Sequence, residues 1–227
     1  MNTVFNRLLL RWPKLLALFV GVLLPLYLFS MLAEKVVERE VFFFDRPLLL
    51  FLHEHTNRQL DGIMLFFTHI GSAPWVVPFE LSLFGWLCYK RLRVDASFAF
   101  LSLIGTALLN VLTKNFFVRI RPDLWISLQP ETTYSFPSGH AMNAMALAAV
   151  SIILSWRSNI RWPIAIISAF FVLMVSLSRL YLGVHYPSDV LAGWMAAIAW
   201  IVGLAFILKW QTANRSQLHC QIVPNEK

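Results

Sequence analysis

The stretch Thr132–Trp156, TTYSFPSGHAMNAMALAAVSIILSW, decides the fold. It opens in turn-forming residues, passes through Pro-Ser-Gly-His, and then runs without a charge as far as Trp156. About 20 apolar residues carry a helix across a bilayer, and this run approaches that length before Arg157 and Arg161 stop it. The same pattern recurs along a chain in which 58% of residues are hydrophobic and only 14% are charged. A soluble domain of this size carries about 25% charged residues, so lipid is the solvent of most of this sequence. The alternation over about ten residues that marks a membrane barrel is absent. The sequence therefore predicts one all-α polytopic membrane domain over residues 1–227.

Six crossings follow from the apolar runs. The first, Leu15–Leu32, comes after Arg7, Arg11 and Lys14 and lacks the short core and small-residue cleavage site of a signal peptide. The segment VFFFDRPLLLFLHEH (Val41–His55) is too short and too interrupted to cross, and is predicted to lie along the extracytoplasmic surface as an amphipathic segment. Gly71–Pro74 breaks the next run, placing the second crossing at Trp75–Tyr89. The others are Ala96–Leu112, His140–Trp156, Pro163–Gly183 and Val190–Leu208. Six crossings put both termini on one face. The N-terminal basic residues, Lys90/Arg91/Arg93, Arg157/Arg161 and Lys209/Arg215 all collect there, which makes that face cytoplasmic and the membrane the cytoplasmic (inner) one.

The formal net charge of +7 is spread in these short basic groups, with no basic tract to present to nucleic acid. Cys88 and Cys220 show no metal or redox spacing, and both fall on the reducing side. Glu80 lies inside the second crossing. An intramembrane carboxylate is a functional candidate, and with two prolines close by, Pro74 and Pro78, and a position near the outer end, a partnered structural role is equally open.

On this threading KNFFVRIRP (Lys114–Pro122), PSGH (Pro137–His140) and SRLYLGVHYPSD (Ser178–Asp189) all emerge at the outer rim. Lys114, Arg121 and Arg179 are cations of the kind that hold phosphate oxygens, though each alone also reads as a snorkelling interfacial residue. Ser138 reads as the N-cap of the fourth crossing. That leaves the amides of Gly139 and His140 at a positive helix end, an anion site with room for close approach at the glycine. Pro187 prevents a continuous helix through His185 and Asp189 and suits the first turn of the sixth crossing. Asp189 then sits just inside that helix and His185 in the preceding loop, where the carboxylate holds one imidazole nitrogen and leaves the other free to attack.

Lys114 with six residues before Arg121-Pro122, Pro137-Ser138-Gly139-His140, and Ser178-Arg179 with five residues before His185 and three more before Asp189 form a set. It resembles the type 2 phosphatidic acid phosphatase (PAP2) family, with all three motifs matched between Lys114 and Asp189. The resemblance implies a membrane lipid phosphatase acting on a substrate such as undecaprenyl pyrophosphate, phosphatidylglycerophosphate or phosphatidate. It gives His185 as the nucleophile that becomes phosphohistidine, Asp189 as its orienting partner, and His140 as the proton donor and later the base for water. Lys114, Arg121, Arg179, Ser138 and Gly139 would bind phosphate. No cofactor or metal is implied, since cations and amides do what magnesium does elsewhere and the rim has no carboxylate cluster. Arg119 is an extra cation without an assigned role. The alternatives are a lipid phosphotransferase of the same family and a non-catalytic phosphate-binding membrane protein.

Overall fold

The computed structural model describes Trp12 and residues 15–222, with side chains as far as residue 208. Arg7, Arg11 and Lys14 lie outside the described residues, as do the side chains of Lys209, Arg215 and Cys220. Every regular element among the described residues is a helix: α1 (Leu15–Val37), α2 (Asp45–Glu54), α3 (Arg58–Ile70), α4 (Ala73–Tyr89), α5 (Arg93–Phe117), α6 (Gly139–Ser155), α7 (Arg161–Tyr181) and α8 (Pro187–Ile222). In lipid a chain must satisfy its own backbone polar groups, and a helix does so within one segment.

Four of these helices, α1, α5, α7 and α8 (over Pro187–Leu208), are long and apolar enough to cross a membrane. α3 and α4 pass that test only as a pair, bent by 45° at the break between them. The expected break at Gly71–Pro74 is therefore present, but a helix precedes it as well as follows it. α6, at 17 residues, is shorter than those four. Several expected boundaries move. α5 runs from Arg93 to Phe117 where hydropathy gave Ala96–Leu112, and α1 continues to Val37. Hydropathy locates the hydrocarbon layer, whereas a helix continues through the headgroup region until its hydrogen bonding is capped. α7 ends at Tyr181, two residues before the expected Gly183, because the chain turns at that glycine with φ +67.

Despite its length, α6 lies at the centre of the bundle. α6 packs against both α7 and α8. Water is not available to drive apolar faces together in a bilayer, so association rests on close fit and small residues. Ala141, Ala144, Ala146 and Ala148 of α6 are buried, as are Ala192 and Ala197 of α8. At Gly193 the approach is backbone to side-chain position: a Cβ there would stand 2.8 Å from the carbonyl oxygen of Ser138. That contact fixes the second turn of α8 against the start of α6, and so brings Asp189, one turn earlier, beside the Pro-Ser-Gly-His turn.

Candidate active site

The starts of α6 and α8 and the ends of α5 and α7 meet at one end of the bundle, joined by the loop from Val118 to Ser138. Ser138 caps α6, its hydroxyl accepting from the Ala141 amide at 3.5 Å. Its own amide donates to the carbonyl of Asp189 at 3.0 Å, which ties the two helix starts together. The amides of Gly139 and His140, in the first turn, have no intrahelical acceptor and sit at the positive end of the helix.

The cations converge from three elements. Arg121 is fixed by the loop it begins, donating from Nε to the Thr133 carbonyl at 2.6 Å and from Nη1 to the Val184 carbonyl at 2.6 Å. Lys114 donates to the Tyr134 carbonyl at 2.5 Å and to Thr133 Oγ1 at 3.2 Å, and Arg121 Nη2 shares both acceptors. Arg179 is wholly buried on α7 and donates to Thr68 Oγ1 of α3. A buried guanidinium is costly unless paired.

Its partner is a residue that the sequence did not single out. The Glu131 carboxylate accepts from Arg179 Nη2 through Oε1 and from Arg121 Nη2 through Oε2, the latter at 2.8 Å, and Oε1 stands 3.8 Å from His140 Nδ1. Burial pushes this carboxyl up, but Arg179 and Arg121 outweigh it and hold the pKa at about 2. An anion is therefore stable at the point between the two guanidinium groups and His140.

The two histidines flank that point. His140 leaves Nε2 buried without a hydrogen-bond partner. His185 is 1% exposed, and its Nδ1 faces Asp189 Oδ2 at 3.5 Å. Its Nε2 lies 3.0 Å from Arg121 Nη1. Arginine only donates, so Nε2 carries the lone pair and the ring proton is on Nδ1, toward Asp189. This is the tautomer a nucleophilic Nε2 requires. The nitrogen expected to be free instead accepts a hydrogen bond from Arg121 Nη1. Burial first, then Arg121, Arg179 and Lys114, hold His185 well below the ordinary histidine range, which keeps the ring neutral.

Arg119, the extra cation of the first motif, is turned inward, its side chain only 9% exposed. It reaches Asp189 Oδ1 at 2.5 Å and Asp45 Oδ2 at 3.0 Å and lies over the Tyr186 ring. Glu80 is outside the cluster, lining a separate cavity of about 190 Å³ with Thr106, Asn110 and Asn143. The structure thus gathers His140, His185, Asp189, Arg121, Arg179, Ser138 and Gly139 as expected, with Lys114 on the shared loop carbonyl beside them. It adds Glu131, Thr68, Arg119 and Asp45. Of these, Arg119 lay inside a motif; the others carried no spacing that distinguishes them from loop or helix polar residues.

Residues 95–215 match the PAP2 superfamily model. Over 139 residues, 59% of this chain and 68% of the relative, the sequence is 32% identical to phosphatidylglycerophosphatase B of Bacillus subtilis (strain 168). It is 31% identical to undecaprenyl-diphosphatase of Sulfolobus acidocaldarius over 189 residues, 81% of this chain and 87% of the other. The fold is similar to the crystal structure of a transmembrane PAP2 type phosphatidylglycerolphosphate phosphatase from Bacillus subtilis, with a TM-score of 0.70, 26% identity, and coverage of 84% and 96%.

Proposed function

We propose that this chain, which belongs to the PAP2 superfamily, hydrolyses a membrane lipid phosphate or pyrophosphate through a phosphohistidine on His185. One observation carries the reading: Arg121, Arg179 and His140 surround a single carboxylate, with the His185–Asp189 pair reached through Arg121. A phosphate is the ligand that suits planar guanidinium forks and helix amides together. The names of the two relatives nominate phosphatidylglycerophosphate and undecaprenyl diphosphate as substrates; phosphatidate is a third.

In this reading the phosphate takes the place of the Glu131 carboxylate, with its oxygens on Arg121, Arg179, Lys114 and the amides of Gly139 and His140. His185 Nε2 attacks phosphorus and the bond to the departing oxygen breaks as that oxygen takes a proton from His140. A phosphate dianion carries one more negative charge than Glu131, which favours the protonated His140 needed for this step. Water then attacks phosphorus and gives its proton to His140. The N–P bonding pair returns to His185, and inorganic phosphate leaves. Asp189 stabilises the positive charge on the phosphorylated ring throughout.

Six crossings, counting the bent α3–α4 pair and α6 as spans, put this rim outside the cytoplasmic membrane with both termini inside. A cysteine placed at Gln129 is expected to react with an impermeant thiol reagent in intact cells; reaction only after the membrane is breached would reverse the topology. For activity, the test is purified protein in detergent with those three lipids. Phosphate release that survives a chelator is expected, with vanadate inhibiting as a five-coordinate phosphorus mimic. Release that stops with chelator and returns with magnesium would overturn the metal-free mechanism, and transfer to an added lipid acceptor in place of release would make the chain a phosphotransferase.

Glu131→Gln is expected to tighten vanadate binding about tenfold, since about 1.4 kcal/mol of competition from the resident carboxylate is enough for that factor. Weaker vanadate binding in this variant would mean that Glu131 serves to hold Arg121 and Arg179 in place and that phosphate does not replace it.

A further inference from the structure

We propose that Asp45, acting through Arg119 and Ser188, is a positioning residue for the His185–Asp189 pair. This rests on the phosphohistidine reading above. Asp45 opens α2, the segment expected only to lie along the membrane surface, and falls outside the residues matched to the family. It is nonetheless fully buried, as are Ser188 and Asp189.

Every contact of its carboxylate leads to the catalytic pair. Oδ1 accepts from the Ser188 amide at 2.9 Å, and Oδ2 from the Ser188 hydroxyl at 2.7 Å and from Arg119 Nη2 at 3.0 Å. Arg119 Nη1 donates to Asp189 Oδ1 at 2.5 Å and to Ser188 Oγ at 2.8 Å. Asp189 Oδ2 accepts from the Tyr186 amide at 2.8 Å and faces His185 Nδ1, which stands 3.5 Å away without a hydrogen bond of its own. The turn that delivers Arg119 is itself distinctive. Val118 ends α5 in the left-handed region, at φ 48 and ψ 35, which a β-branched residue adopts only when its surroundings impose it.

Charge explains why a second carboxylate belongs here. Asp189 alone with Arg119 would be a neutral pair, with no negative charge left over for the ring. With Asp45 the buried set of Asp45, Arg119 and Asp189 carries one net negative charge beside a neutral His185. Phosphorylation turns the His185 ring cationic, and the set then closes to neutrality. Asp45 thus draws off half of the Arg119 fork, so that Asp189 stays a strong acceptor for Nδ1–H at the moment the ring becomes charged. It acts on the chemical step and leaves the phosphate cations untouched.

The test uses the full-length protein in detergent and two readouts. The pre-steady-state burst of nitrophenolate from 4-nitrophenyl phosphate reads phosphoenzyme formation, and competitive inhibition by inorganic phosphate reads the phosphate site. Asp45→Asn is expected to slow the burst by about 10- to 100-fold, the scale on which groups that orient a ligating residue act elsewhere, while inorganic phosphate affinity changes less than about twofold. Asp45→Glu, which keeps the charge, is expected to recover part of the rate. Arg119→Lys, which keeps one charge but loses the fork, is expected to slow the burst similarly. Should Asp45→Asn fail to fold, Arg119→Lys and Ser188→Ala carry the comparison, since each alters the link from Asp45 to Asp189. An unchanged burst in variants that fold, or equal losses of burst and inorganic phosphate affinity, overturns the proposal. A wild-type protein that binds vanadate but shows no phosphohistidine defeats the mechanism as well, whereas a wild-type burst with unaffected variants defeats only the role of Asp45.

Discussion

His185→Asn is expected to release no phosphate from any lipid and to trap no phosphoenzyme, a loss of about 10⁴-fold or more, as when a covalent nucleophile is removed from other hydrolases. The size follows from what the site retains. Arg121 and Arg179 still offer guanidinium groups, and His140 can still polarise water, so phosphate binding is expected to persist: inorganic phosphate should remain bound within about tenfold of wild type, a shift of about 1.4 kcal/mol. What disappears is the neutral, buried Nε2, and water must then attack the phosphorus of the lipid substrate directly. Asparagine is the better replacement than alanine because it fills part of the buried ring's volume and limits the cavity cost. Acid-labile phosphate still trapped on this variant would move the nucleophile to another group, with His140 the first to examine.

How far this site was legible in the sequence depended on whether a residue's role was written in its neighbours. Ser138 was legible because an N-cap is a local event, and Pro187 because it dictates where α8 begins; both stand where expected. Lys114, Arg121, Arg179, His185 and Asp189 were legible as residue types at fixed spacing, and the structure brings them to one end of the bundle. Asp45 was not. Its place beside Ser188 is set by how α2 packs against α7 and α8, a tertiary fact with no local mark. Glu131 was hidden differently. It sits in a polar loop where a carboxylate is unremarkable, and only the meeting of Arg121 and Arg179 from separate elements gives it meaning. The fold shows the same division. Apolar runs located the helices, but helix ends such as Phe117 and Val37 depend on capping beyond the hydrocarbon, and the 45° bend before α4 turns an interrupted run into a helix pair.

The second large effect concerns His140, and it depends on the substrate. A general acid matters most when the departing oxygen is a strongly basic alkoxide, as from phosphatidate. It matters less when the leaving group is a lipid monophosphate, as in pyrophosphate cleavage, or a nitrophenolate. General acid catalysis contributes about 10²–10⁴-fold, so His140→Ala is expected to lose that factor on phosphatidate. Distinctly less should be lost on 4-nitrophenyl phosphate, read as the burst so that phosphoenzyme formation is the step measured. The geometry supports a proton carrier here: Nδ1 faces the anion position held by Glu131, and Nε2 is buried without a partner, poised for one that arrives with the substrate. His185→Asn provides the contrast, since loss of the nucleophile is indifferent to the leaving group and both substrates should fail alike. If His140→Ala instead loses the same factor on phosphatidate and on 4-nitrophenyl phosphate, the residue is not the acid. Its side chain then serves as a phosphate ligand at the entrance of α6, and the leaving oxygen takes its proton from water.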